Sequence, residues 1–249
     1  MYRSISTQAI VIRRARVGEF HKSLSLLTAD LGLISATAYG AYKAQSRLRL
    51  GSEPFTCCTA LLYHNPVKKA YKVTELEITS SYEGLQGDLG RLAAASLWAE
   101  IAQRSYGAGE TSADLFELFR DCLTLLERAE PELAQCLTVQ FLWRFLGLSG
   151  YQPDITTCES CGAPFGDRGA RHLPHAHGFR CAACASGGSV ISPGALRYLG
   201  ATQGQSIAEA SRIGLEEHSR VMLRDILLSV VQSVLESPLA SVPWVRNAR

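Results

Sequence analysis

The chain has 249 residues, 47% of them hydrophobic, enough for one large domain or two modest ones with cores of their own. Its strongest apolar stretch, residues 221–235, is broken by Arg224 and Asp225, which excludes a membrane-spanning helix there. The formal net charge of +2 conceals an asymmetry: residues 1–80 hold 11 Lys and Arg against 5 Asp and Glu, net +6, whereas residues 81–249 hold 14 against 18, net −4.

All five lysines lie in the first part. A cationic segment of this kind points to an anionic partner, nucleic acid first, with a merely solvated basic face as the competing reading. Residues 1–18 carry Arg3, Arg13, Arg14 and Arg16 and no apolar core of signal-peptide length, so a soluble, intracellular protein is expected.

In chain order, residues 7–17 open with the β-branched run Ile10-Val11-Ile12 and end in Arg13-Arg14-Ala15-Arg16. Gly18-Glu19 reads as a hairpin turn into residues 23–28, which alternate small polar and apolar side chains as a half-buried strand does. Asp30-Leu31-Gly32 is a second turn and residues 33–39 a third strand. A basic connection with Gly40, Lys43, Arg47 and Arg49 leads to strands over 55–63 and 70–79, joined by a turn at His64-Asn65-Pro66. Five short strands with a longer link between the third and fourth fit a Greek-key barrel of the OB type.

Such barrels bind single strands by pairing a cationic groove with aromatic platforms, since phosphates need charge and unstacked bases offer a π-face. The candidate DNA contacts are therefore Arg13, Arg14, Arg16, Lys22, Lys43, Arg47, Arg49, Lys68, Lys69 and Lys72, with Tyr42 as an aromatic contact. Phe20, Tyr39 and Tyr71 lie among the same basic residues. Each of these aromatics, Tyr42 included, taken alone fits a core position better than a platform, so the reading rests on the group.

From residue 86 the period becomes helical. Leu89, Leu92, Ala93, Ser96, Leu97 and Ile101 mark a first helix, ended by Gly107-Ala108-Gly109. Thr111 and Asp114 suggest a cap for a second, with a stripe of Leu115, Phe116, Phe119, Cys122, Leu123 and Leu126. Pro131 opens a third, through Leu133, Leu137, Phe141, Phe145 and Leu148, stopping at Gly150. These three are expected to pack as a bundle. Ser192-Pro193 starts a short helix ending near Gly200, and a final long helix spans about 215–236 before Pro238.

Between these helices stand two pairs, Cys158-Glu159-Ser160-Cys161 and Cys181-Ala182-Ala183-Cys184, separated by 19 residues. That spacing suits two knuckles whose sulfurs face each other in the tetrahedral S4 cage preferred by Zn2+. Four thiolates close the coordination sphere, so the expected role is structural. Two disulfides, or a thiolate replaced by His172, His175 or His177, are the alternatives. Cys57, Cys58, Cys122 and Cys136 read as packing residues. No phosphate-cradling loop ending in Lys-Ser or Lys-Thr, no His-Glu-x-x-His and no Gly-x-Ser-x-Gly is present, which argues against an ATPase, a zinc protease or a serine hydrolase.

The whole order of parts resembles the RecO-type DNA repair and recombination mediators of bacteria. The resemblance rests on Ile10-Val11-Ile12-Arg13, Gly18-Glu19, Leu26-Leu27-Thr28 with Gly32, Gly40-Ala41, Ser46-Arg47, Glu53-Pro54-Phe55, Leu146-Gly147 with Gly150, and both Cys pairs. Tyr39 departs from it, standing where the family tends to be small. The resemblance implies an α+β chain of two domains: an OB-fold barrel over residues 1–80, then an all-α helical domain over 81–249 with a zinc-binding insertion at about 155–190. It implies no nucleotide cofactor, no membrane, and a cytoplasmic, nucleoid-associated protein that binds single- and double-stranded DNA and anneals complementary strands. It also implies help from RecR in loading RecA onto DNA covered by single-stranded-DNA-binding protein (SSB), whose C-terminal tail the helical domain would hold. Arg120, Arg128 and Arg144 are candidates for that tail. Two other classes remain open: a zinc-dependent nucleic-acid enzyme, and an assembly factor whose basic face meets an acidic protein.

Overall fold

The computed structural model describes residues 4–105, 112–174 and 176–247. Gly107, Gly109, Thr111 and His175, to which the sequence assigned a helix stop, a cap and a possible ligand, lie outside them. The chain divides into two compact units, one of Met1–Gly87 with Trp98–Glu127 and one of Asp88–Leu97 with Arg128–Arg249.

The first unit is built on a closed five-stranded barrel in the order β1-β2-β3-β5-β4, with β1 Ser4–Val17, β2 His21–Thr28, β3 Gly32–Ala38, β4 Cys57–Asn65 and β5 Ala70–Ser80. Only β3 and β5 run parallel, at Ala36↔Tyr71 and Thr37↔Lys72. One long strand serves two neighbours: β1 pairs with β4 from Ser4 to Ile10 and with β2 from Ala9 to Val17, and a bulge between Val11 and Arg13 bends it from one to the other. Alternation then fills the interior with Ala9, Val11, Leu24, Leu26, Ile34, Ala36, Cys58, Ala60, Leu62 and Val73. The last turn differs from expectation. His64 and Asn65 belong to β4, opposite Tyr71 and Ala70, because the two rings pack at 4.8 Å and prolong the ladder; the turn is residues 66–69.

A short helix, α1 Leu48–Gly51, lies in the basic connection and packs on β5 so closely that a Cβ on Gly51 would stand 2.9 Å from that of Leu76. The three helices expected to pack as a bundle divide between the two units. Helix α3, Ser112–Leu126, packs on β2 and β3, so its apolar stripe covers the barrel. Helix α2, Leu89–Arg104, buries Ala93, Ala94, Ala95, Leu97, Trp98, Ala99, Ile101 and Ala102 and is shared between the two units.

In the second unit α4, Pro131–Leu148, is the central element, buried from Cys136 to Trp143 without a break. Pro131 opens it and Gly150, at φ +76°, turns the chain away, as the sequence indicated. Its main partner is α7, Glu217–Val234. Helix α5, Pro193–Thr202, begins where Ala195 N–H donates to the Ser192 hydroxyl at 3.1 Å. Two small helices were not foreseen: α6, Ile207–Ala210, opened by a reciprocal Ser206–Glu209 capping box, and α8, Val242–Asn247. The Cys-bearing segment adds a two-stranded sheet of β6 Ala170–His172 and β7 Ser189–Ile191.

Candidate nucleic-acid interface and metal centre

The basic residues of the barrel gather on the β1–β2 hairpin, the connection after β3 and the β4–β5 hairpin. Backbone and ring contacts tie these three segments into one cation–aromatic face. Tyr42 N–H donates to Phe20 C=O at 3.1 Å and Gly40 N–H to His21 Nδ1 at 2.9 Å, fixing the connection against the first hairpin. The Arg16 guanidinium lies 5.5 Å from the Tyr42 ring centre, Lys43 Nζ 5.6 Å from that of Phe20 and Lys72 Nζ 5.6 Å from that of Tyr39. His21 meets Tyr39 edge-on at 5.0 Å, which links the β2 side of the face to the β5 side. Phe20 and Tyr39 are exposed and Tyr42 half-buried, so the rings present faces to solvent among the cations. Cations held against rings lose rotamer freedom before any ligand arrives, which lowers the ordering cost of binding.

Arg13, Arg14, Arg16, Lys43, Arg47, Arg49, Lys68, Lys69 and Lys72 are all exposed. Lys22 is not: it is 1% exposed, and its ammonium donates to Arg49 C=O at 3.2 Å, Ser52 Oγ at 2.7 Å and Glu53 Oε1 at 2.9 Å. Its expected phosphate contact is therefore corrected. It shares the inward face of β2 with Leu24 and Leu26 and closes the end of the barrel on α1. Glu53 also binds Arg14 Nε at 3.1 Å through its other oxygen, which makes Arg14 a partly neutralised cation. Glu53 and His21 are the members of this region that sequence reasoning missed. The Lys22–Glu53 contact spans 31 positions, and nothing local signals it.

Among the residues raised for a protein tail, Arg120 is paired with Glu117 and Asp121, and Arg144 donates to Thr202 C=O at 3.2 Å. Arg128 is exposed.

The four cysteines do converge. The sulfurs of Cys158, Cys161, Cys181 and Cys184 lie within 4.8 Å of one another, with Cys161 and Cys181 at 3.8 Å. Zn–S bonds of about 2.3 Å at tetrahedral angles place sulfurs about 3.8 Å apart, so the set fits a four-thiolate ion with small adjustment. Each knuckle is made by backbone bonds: Gly162 N–H donates to Cys158 C=O at 2.8 Å with Gly162 at φ +70°, and Cys184 N–H to Cys181 C=O at 3.0 Å. Cys181 N–H also donates to the Cys158 sulfur at 3.2 Å. Desolvation works to raise the Cys158 pKa, but the N–H groups of Cys181, Cys161 and Ser160 outweigh it and hold the thiol at about 6, whereas hydrogen bonds to Cys161 and Cys181 push Cys184 up to about 12. His172 and His177 are engaged elsewhere, with Ala176 C=O at 3.0 Å and the Ser233 hydroxyl at 2.9 Å, and neither joins the cluster.

The profiles described as Recombination protein O N terminal and Recombination protein O C terminal match residues 1–82 and 86–243. The chain is 32% identical over 234 residues to a DNA repair protein RecO of Rubrobacter xylanophilus, covering 92% of each chain. It is 38% identical over 157 residues to the DNA repair protein RecO of Heliobacterium modesticaldum, covering 63% of this chain and 55% of that one. A third relative of the same name, from an Anaeromyxobacter strain, is 30% identical over 74% of this chain and 71% of its own. With a five-stranded barrel, a following helical region and a four-cysteine cluster all in place, the chain belongs to the recombination protein O, or RecO, family of DNA repair proteins.

Proposed function

We propose that the chain is a non-enzymatic mediator of recombinational repair that binds single- and double-stranded DNA on its barrel and anneals complementary strands. The observation that carries this reading is the continuous face of Arg16, Tyr42, Lys43, Phe20, Tyr39 and Lys72. Annealing follows physically from a cationic surface that neutralises phosphates on two strands while leaving base edges free to pair. The division of labour places DNA on residues 1–80 and protein partners on residues 81–249, where RecR and the acidic, apolar tail of SSB would be held so that RecA can be loaded. Cys158, Cys161, Cys181 and Cys184 would hold one zinc ion as a structural staple, since four thiolates leave no open position for a reacting water. A soluble, cytoplasmic setting beside the nucleoid accords with this role; among the described residues, no helix is long and apolar enough to cross a membrane.

Annealing of two complementary labelled strands, followed by fluorescence quenching with and without SSB, tests the proposal. Acceleration over the spontaneous rate supports it. Cleavage or base conversion that stops on chelation would favour a metal-dependent enzyme, and absence of any DNA binding at low salt would favour an assembly factor.

A further inference from the structure

The β4–β5 hairpin ends in a feature for which the cation–aromatic face has no use. Val67 is 91% exposed, the most exposed large apolar side chain among the described residues. Scattered apolar residues on a surface are ordinary. Three observations set this one apart.

Its backbone is fixed. Asn65 Oδ1 accepts from Val67 N–H at 3.0 Å and Lys68 N–H at 3.1 Å, the Asn65↔Ala70 pair closes the hairpin, and the proline ring sets the φ of Pro66. Its side chain is also stiff, because a β-branched residue has few χ1 choices, and the exposed ring of Pro66 stands beside it in sequence. Its surroundings are cationic: Lys68 and Lys69 are exposed next along the chain, with Lys69 at φ +48° turning the strand back. At the foot of the hairpin Tyr71 packs on His64 at 4.8 Å and Lys72 lies over Tyr39, so the hairpin adjoins the proposed DNA face.

We infer that Pro66 and Val67 form a wedge that enters a base step of duplex DNA where it adjoins a single strand, with Lys68 and Lys69 on the flanking phosphates. An apolar knob inserted between base pairs exchanges water for base faces, while the ammoniums beside it replace condensed counterions; rigid apolar wedges open and kink base steps by this means. Two exposed lysines next along the chain suit a phosphate backbone better than an apolar pocket on a protein. The barrel would then hold a single strand along its face and loosen the end of the adjoining duplex with the hairpin. The inference rests on the nucleic-acid reading above.

The test uses the full chain and a DNA with a single-stranded tail joined to a duplex, labelled for anisotropy, with 2-aminopurine placed in turn at each of the first base pairs. The unaltered protein is expected to raise 2-aminopurine fluorescence at one step by about twofold or more on binding. Val67→Ser, at a position too exposed to affect folding, is expected to remove that rise while Kd stays within about threefold, and Val67→Phe to retain it. Lys68→Gln with Lys69→Gln is expected to weaken binding and flatten its salt dependence. Binding seen by anisotropy with no fluorescence change at any step would overturn the inference and leave the DNA-binding reading intact, as would an undiminished rise with Val67→Ser. No anisotropy change at all would remove both.

Discussion

Replacing Lys22 by Met separates a barrel plug from a phosphate contact. The methionine fills nearly the same volume, so the change removes the ammonium without opening a cavity. Three hydrogen bonds are lost, to Arg49 C=O, Ser52 Oγ and Glu53. Deleting one partner of a fully buried pair costs about 3–5 kcal/mol. Here each group left behind keeps something: the Ser52 hydroxyl still donates to Arg49 C=O at 3.0 Å, and Glu53, 33% exposed, keeps Arg14 and gains water. The expected loss is therefore about 2 kcal/mol, at the low end for charged hydrogen bonds. With a urea m-value of about 2 kcal/mol/M, the unfolding midpoint of the barrel unit falls by about 1 M. Far-UV circular dichroism and the fluorescence of Trp98, which lies in that unit, follow the transition. Lys22→Ala should lose about 1–2 kcal/mol more, because it also leaves a void. The slope of DNA affinity against salt should not change with either variant. Unaltered stability together with a slope shallower by about one contact would refute the plug and restore Lys22 to the phosphate surface.

Burial pushes the thiols of Cys57 and Cys58 up to about 11 and about 12, so at pH 8 both should resist iodoacetamide in the folded protein and react only as pH or denaturant rises. Cys161, the exposed member of the cluster, should be protected while zinc is bound and alkylated once a chelator removes it; mass spectrometry of tryptic peptides distinguishes the two states. Gly188, at φ +85°, leaves no room for a Cβ beside the His172 carbonyl, so Gly188→Ala should disrupt the β6–β7 pair and lower the zinc retained per purified chain, measured by atomic absorption. Tyr42→Ala should weaken single-stranded DNA binding by about fivefold, the low end for one stacked base, without reducing the salt slope.

Signals that act over a few residues were legible in the sequence. The cysteine spacing, Pro131 with Gly150, and Ser192-Pro193 each carry their own geometry, and the structure places them as expected. The Ser206–Glu209 box was equally local but sits ahead of a helix of four residues, too short to give a period. The partner of α3 was not legible, because a stripe of Leu115, Phe119 and Leu123 is the same whether a helix or a sheet covers it. Lys22 falls between. Alternation with Leu24 and Leu26 places it inward, yet a lone lysine at a strand end reads as solvent-facing until Ser52 and Glu53 are brought to it from some thirty residues away.

The central claim, that the barrel's cation–aromatic face binds DNA, is tested most directly by the anisotropy of labelled single-stranded DNA titrated at several salt concentrations. Engagement of about four phosphates predicts that log K falls with log salt at a slope near −3. Reversing charge at Arg13, Lys43, Arg47 and Lys72 together should abolish binding while leaving the fold and the zinc content unchanged. Binding that is insensitive to salt, or that survives the four reversals, would contradict it.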